Sequence, residues 1–162
     1  MPSSAPRRRA ARRFDSPQQE AYLALWRTYD RLRELEDKFF GEWGLTAQQY
    51  NVLRLLRAEH PEPVPTLGLV AKLVSRAPDI TRMLDRLEAG GWITRTRSTT
   101  DRRAVLIAIT ESGLALLDQM TEPLRACHEK QLGHLSRSEL DTLITLLSRA
   151  RDPHEPDGSS WK

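Results

Sequence analysis

Apolar residues recur along most of this chain with a helical period, and the places where the period fails mark its joints. The stretch 74–109 reads VSRAPDITRMLDRLEAGGWITRTRSTTDRRAVLIAI. Ile80, Met83, Leu84 and Leu87 fall at i, i+3, i+4 and i+7, the buried stripe of a helix. At 100° per residue, Thr81, Arg82, Asp85 and Arg86 fall on the opposite face. Pro78 suits the first turn, where a missing N–H costs nothing, and Asp79 complements the positive end of the helix dipole. Gly90 and Gly91 end the helix, since glycine takes a left-handed cap without strain. Residues 92–96 can then extend as a strand, and the apolar, β-branched run 104–109 can pair back. Between them, 97–103 is a polar loop too long for a tight turn.

The flanks are helical too. Ser16, Pro17 and Gln19 form a helix start, and the helix runs to about Phe40. Tyr22, Leu25, Trp26, Tyr29, Leu32, Phe39 and Phe40 keep its spacing, broken near Glu36. These positions fit core or dimer packing, or one wall of a small-molecule pocket. Thr46 and Gln49 predict a capping box ahead of Tyr50, Leu53 and Leu56, with Val52 and Leu55 widening the stripe. The run HPEPVP at 60–65 breaks that helix. Thr66 is expected to cap a short helix with Leu67, Val70, Ala71 and Val74 inward, and 75–77 to turn into the next. Two short helices joined by a turn, the second with a basic face, make a helix-turn-helix. Thr110 predicts another helix, with Leu114, Leu117, Leu124 and Leu132 on its apolar face and Pro123 kinking or interrupting it. Ser136 and Glu139 predict a last capping box, followed by Leu140, Leu143, Ile144 and Leu147 at helical spacing.

The fold class expected is therefore mainly α with a small β-hairpin: a winged helix-turn-helix with N- and C-terminal dimerisation helices. Residues 1–15 read as a disordered basic arm, 43–110 as the winged helix-turn-helix, and 151–162 as a frayed tail. Residues 16–42 and 111–150 read as a helical dimerisation region. A single copy would leave much of those helices' apolar surface in water, and a symmetric dimer removes it.

Charge adds a partner. With 25 Lys and Arg against 22 Asp and Glu, the net charge of +3 permits nucleic acid without demanding it, so distribution decides. Arg82 and Arg86 on the helix face, with Arg95, Arg97, Arg102 and Arg103 in the hairpin, suit a duplex. The helix would enter the major groove with the wing beside it. A run of arginines at 7–13 gives either an arm that touches phosphates or a solubilising leader. No apolar run is long enough to span a bilayer and no secretory signal precedes the first helix, so a cytoplasmic location is expected. The lone Cys127 excludes an intrachain disulfide. It reads as a plain thiol; a reactive one would need a depressed pKa.

Several stretches resemble the MarR family of transcription regulators: TRMLDRL at 81–87, GWI at 91–93, DRR at 101–103, LIAIT at 106–110 and, upstream, GLTAQQYNVL at 44–53. The likeness spans roughly 16–150, and the order and spacing of the motifs carry it. It implies a dimer built from the first, fifth and sixth helices, reading a near-palindromic operator in double-stranded DNA. Thr81 and Arg82 match the family's base-reading positions, and arginine is the usual bidentate reader of guanine. Arg76 and Arg86 suit phosphates. The resemblance assigns Arg103 to the minor groove and Asp101 to its support, with Arg102 and Arg97 beside them on the wing. On another reading, Asp101 and Arg103 only staple the loop, and Arg82 and Arg86 are solvated partners of Asp79 and Asp85. Asp85 itself is expected to orient Arg82 or a wing arginine.

Many relatives release DNA when a phenolic or other aromatic acid binds between the dimer helices and the winged helix. Tyr22, Trp26 and Tyr29 could wall such a pocket. Asn51 stands where the urate-responsive branch carries aspartate, which argues against urate. No cofactor, metal site or enzymatic activity is expected: nucleophile, phosphate-loop and dinucleotide motifs are missing, and Cys127, His128 and His134 lack zinc spacing. The competing reading is a winged-helix protein-interaction module without sequence-specific DNA binding.

Overall fold

The computed structural model describes residues 14–74, 79–101, 103–159 and 161. Residues 1–13 of the expected basic arm, Arg76, Pro78 and Arg102 lie outside the described residues. Helix α1 spans Pro17–Glu42 and α2 spans Ala47–Glu59. Strand β1 is Val64–Pro65, α3 is Thr66–Lys72 and α4 is Ile80–Ala89. Strands β2 (Ile93–Arg97) and β3 (Val105–Ile109) follow, then α5 (Glu111–Leu132), α6 (Arg137–Arg151) and a 3-10 turn at Asp152–His154.

Local side-chain chemistry starts five of these helices, four of them on a serine or threonine and α4 on Asp79. Ser16, Thr46, Thr110 and Ser136 each accept a backbone N–H from three residues on. Full capping boxes close at Thr46–Gln49 and Ser136–Glu139, as the sequence predicts. Thr110 does more. Its hydroxyl donates to the Gly91 carbonyl at 2.7 Å, and its N–H donates to Trp92 O at 3.0 Å. One residue thus knots the start of the hairpin to the start of α5. Gly91, at φ 74°, makes the turn out of α4.

The sheet has three strands in the order β1-β3-β2, all antiparallel. The sequence predicts only the hairpin. Strand β1 is two residues long and pairs Val64 with Ile107, a partner far away in the chain, so no local pattern announces it. Its pairing also shifts the phase of α3. Pro65, not Thr66, is the N-cap, and the Thr66 hydroxyl donates to Val105 O at 3.1 Å. Leu69 becomes the buried residue, while Leu67, Val70, Ala71 and Val74, expected inward, are exposed. Helix α5 runs unbroken through Pro123, where the sequence predicts a kink or an interruption.

One core joins α2, α3, the sheet, α4, α5 and the end of α1. It includes Phe40, Leu53, Leu56, Leu69, Leu87, Ile93, Ile107 and Met120. The rest of α1 and all of α6 stand outside it. Tyr22, Trp26 and Tyr29 are each at least 60% exposed, Ile144 is 60% exposed, and no residue of α6 is buried. Beyond α6, where fraying is expected, Arg151 pairs with Glu155 at 3.3 Å, donates to Trp161 O at 3.1 Å and lies over the Trp161 ring.

Gly113 faces the hairpin knot at close range. A Cβ there would sit 2.4 Å from Trp92 O and 2.7 Å from Ile109 Cγ1. Gly113→Ala is expected to lower stability by about 1–3 kcal/mol through overpacking. A melting curve reads this as a drop of several degrees.

A candidate nucleic-acid interface

Helix α4 presents two unlike faces. Met83, Leu84 and Leu87 are buried and Ile80 is partly so, as the sequence predicts. Thr81, Arg82, Asp85 and Arg86 are exposed. Asp79 is the N-cap, its Oδ1 accepting the Arg82 N–H at 3.1 Å, so α4 begins with a fixed first turn. Asp79 is thereby committed to the backbone. Among the described residues neither Arg82 nor Arg86 has a side-chain ion pair, so their guanidinium groups are free to meet an anion or a base edge.

An open groove of about 270 Å³ runs between this face and the start of α2. Thr46, Gln48, Gln49, Asp79, Arg82, Met83 and Arg86 line it. Two guanidinium groups meet there beside the capped starts of α2 and α4; they outnumber the one carboxylate, Asp79, and suit phosphate oxygens.

The wing is held at its base and its tip by different chemistry. At the base, Arg95 Nη2 lies 2.7 Å from Asp85 Oδ1 and 2.6 Å from Glu88 Oε2. These contacts hold the Glu88 carboxyl below the ordinary carboxylate range, chiefly through the hydrogen bond from Arg95, and raise the Arg95 guanidinium further. Asp85 thus holds a hairpin arginine and not Arg82, one of the two outcomes the sequence leaves open. Glu88 is a partner that the sequence reading missed. The signal was available: two carboxylates three residues apart on one helix, followed by an arginine early in the next strand.

At the tip, Asp101 Oδ1 accepts the Arg103 backbone N–H at 2.9 Å. Asp101 N–H donates to Ser98 Oγ at 3.2 Å, and Ala104 N–H donates to Asp101 O at 2.9 Å. Asp101 therefore fixes the main chain at Arg103. Arg97 and Arg103 are exposed, and neither has an ion pair among the described residues. The structure brings Thr81, Arg82, Arg86, Arg97 and Arg103 to the surface on α4 and the wing.

The remaining sequence candidates are placed differently. None of Tyr22, Trp26, Tyr29 or Asn51 lines the groove. Asn51 is half-buried, and its Oδ1 accepts the Val74 N–H at 3.3 Å, tying α2 to the segment after α3. Cys127 is buried, and that burial pushes its thiol up. Among the described residues no three His, Cys, Asp or Glu side chains gather as a metal site would need. None of their helices is long and apolar enough to cross a membrane.

A helix with free guanidinium groups on one face, followed by a hairpin tipped with arginine, defines a winged-helix DNA-binding protein. A sequence model of the MarR family matches residues 45–105. The transcriptional repressor MprA of Escherichia coli strain K12 is 33% identical over 156 residues, which cover 93% of this chain and 88% of MprA. The crystal structure of a MarR transcription factor from Planctomyces limnophilus shares 54% identity, with a TM-score of 0.68, over 83% of this chain and 98% of that one. A cysteine-to-serine mutant of MarR from E. coli, complexed with operator DNA, shares 26% identity at a TM-score of 0.72, covering 81% and 93%. The chain belongs to the MarR family and is a DNA-binding transcription regulator.

Arg82→Ala removes an exposed side chain that has no ion pair among the described residues. It is expected to weaken DNA binding by about 1–3 kcal/mol. Melting temperature should hold, since exposed substitutions move stability by only about 0.5 kcal/mol. Fluorescence anisotropy beside a melting curve checks both.

Proposed function

We propose that the chain is a dimeric repressor that reads a near-palindromic operator and is released by a small phenolic or other aromatic acid. The observation that carries the dimer is the uncovered apolar surface of the terminal helices. Leu25, Trp26, Ile144, Leu146 and Leu147 are exposed in the single chain, on helices that otherwise lie outside the core. A second copy packing α1, α5 and α6 against their equivalents buries that surface. It also sets two α4 helices and two wings for half-sites about one helical turn, roughly 34 Å, apart. On this reading 16–42 and 111–150 dimerise, 43–110 bind DNA, and the chain acts in the cytoplasm. Repression is supported by the similarity to MprA, a transcriptional repressor.

Within each half-site, Thr81 and Arg82 read bases in the major groove while Arg76 and Arg86 hold phosphates. Arg103 enters the minor groove with Arg97 and Arg102 beside it. The backbone bond from Asp101 supports this, since it leaves the Arg103 guanidinium unspent. The effector reading rests on the exposed aromatic row Tyr22, Trp26 and Tyr29, with Asn51 tied to the segment leading into α4. Such a ligand acts only through different affinities for the DNA-competent and incompetent dimers.

Ile144→Arg tests assembly. The residue is exposed in one chain, so folding is expected to survive while the dimer and DNA binding are lost together. Light scattering that finds the wild-type chain monomeric at micromolar concentration overturns the dimer. Arg103→Ala tests the wing: affinity should fall by about 1–3 kcal/mol, and more on operators with A·T-rich flanks than on G·C-rich ones. A lower melting temperature with no flank dependence would make Arg103 a loop staple instead.

A further inference from the structure

Asp85 and Glu88 stand where their charge is unwelcome. Both lie in the second half of α4, toward the negative end of its dipole, and Asp85 shares the exposed face with Arg82 and Arg86. Phosphates approaching that face repel it further. One cation offsets this. Arg95 donates from Nη2 to both carboxylates and from Nε to Glu88 Oε2 at 2.9 Å, and its backbone N–H donates to Glu88 Oε1 at 3.2 Å. Glu88 therefore grips the main chain and the side chain of the same strand residue.

This cluster differs from most of the chain's ion pairs. Arg31–Glu34, Arg33–Asp37, Arg125–Glu122 and Arg137–Asp141 each join a helix to itself, with both partners more than half exposed. Pairs of that kind contribute little. The Arg95 side chain is 25% exposed, and its contacts cross from a helix to a strand. Nε and Nη2 converge on Glu88 Oε2 while the backbone N–H takes Oε1, so three charge-assisted bonds to one carboxylate fix orientation as well as distance.

We propose that Arg95 is a positioning residue that sets the angle between α4 and the wing, so that major-groove and minor-groove contacts are read in one register. The inference rests on the wing-in-groove reading given above. Gly90 and Gly91, which join α4 to the strand, supply little stiffness. The Thr110 knot holds the hairpin only at its start. Arg95 holds it midway along β2. The tip lies roughly 15 Å further on, at about 3.3 Å per strand residue. A rotation of about 10° at Arg95 would move the tip by roughly 3 Å, close to the rise of about 3.4 Å along the duplex axis from one base pair to the next.

The test uses the full-length chain and duplexes that it selects from a random pool. In a matched set, the A·T-rich flank is moved one base pair from the core. Wild type is expected to lose about tenfold in affinity on the shifted set. Arg95→Gln is expected to reduce that penalty to about threefold or less, with Arg95→Lys in between. Asp85→Asn separates positioning from folding. It alters an exposed side chain, and it should strengthen binding to all duplexes while reducing the shift penalty. If both Arg95→Gln and Asp85→Asn keep the wild-type penalty, whatever their melting temperatures, the cluster is only a structural tie and the proposal fails. If wild type shows no penalty and Arg103→Ala binds both sets equally well, the wing does not read the groove, and the failure belongs to that earlier reading.

Discussion

The burial of one stripe of α4 is the contact on which the DNA-reading surface depends. Leu87 is fully buried in the same cluster as Ile93 of β2 and Ile107 of β3, with Met83 and Leu84 beside it. Each such side chain contributes on the order of 1.5–3 kcal/mol of transfer free energy. Because the helix repeats every 3.6 residues, fixing this stripe inward forces Thr81, Arg82 and Arg86 outward. Presentation of the reading face is thus a product of core packing. The arginines need no internal partner to hold their direction, which leaves their donors available.

The wing needs a separate device, since a hairpin tip has no core beneath it. Three polar contacts in series supply one. Thr110 closes the hairpin onto Gly91 and Trp92, Arg95 ties β2 to α4, and Asp101 holds the main chain at Arg103. Each spends backbone groups or a partly buried cation and leaves the exposed cations free. The terminal helices follow the opposite logic. Their cost in the single chain is apolar surface, and relief must come from outside the chain.

What was legible in the sequence is what depends on neighbours within one turn. The caps at Ser16, Thr46, Thr110 and Ser136 are local hydrogen bonds, and each is written in three or four residues. The α4 stripe is a clean period on a strongly two-faced helix. Helix α3 was misread because apolar residues crowd nearly every position of TLGLVAK, so several phases fit. The choice among them is made by β1, whose pairing with β3 is non-local. The same reason hid the third strand and the Glu88 grip on Arg95. The outcome at Pro123 differs: helix α5 tolerates the lost donor, with its neighbours Met120, Leu124 and Cys127 buried. Of the site, the exposed cations were readable as types on a face, whereas the assignment of Asp85 to Arg95 required the fold.

The sheet has one more property that matters for a protein that accumulates at a few sites on DNA. A small sheet offers two open edges, and each is a template for adding a strand from another molecule. Here the β1 edge is two residues long and ends in Pro65, which has no N–H to offer. On the β2 edge the Arg95 N–H is already occupied by Glu88. Both borders are therefore poor templates for strand addition. Crowding such chains together, on an operator or in a concentrated solution, favours contacts through helices and not growth into fibres.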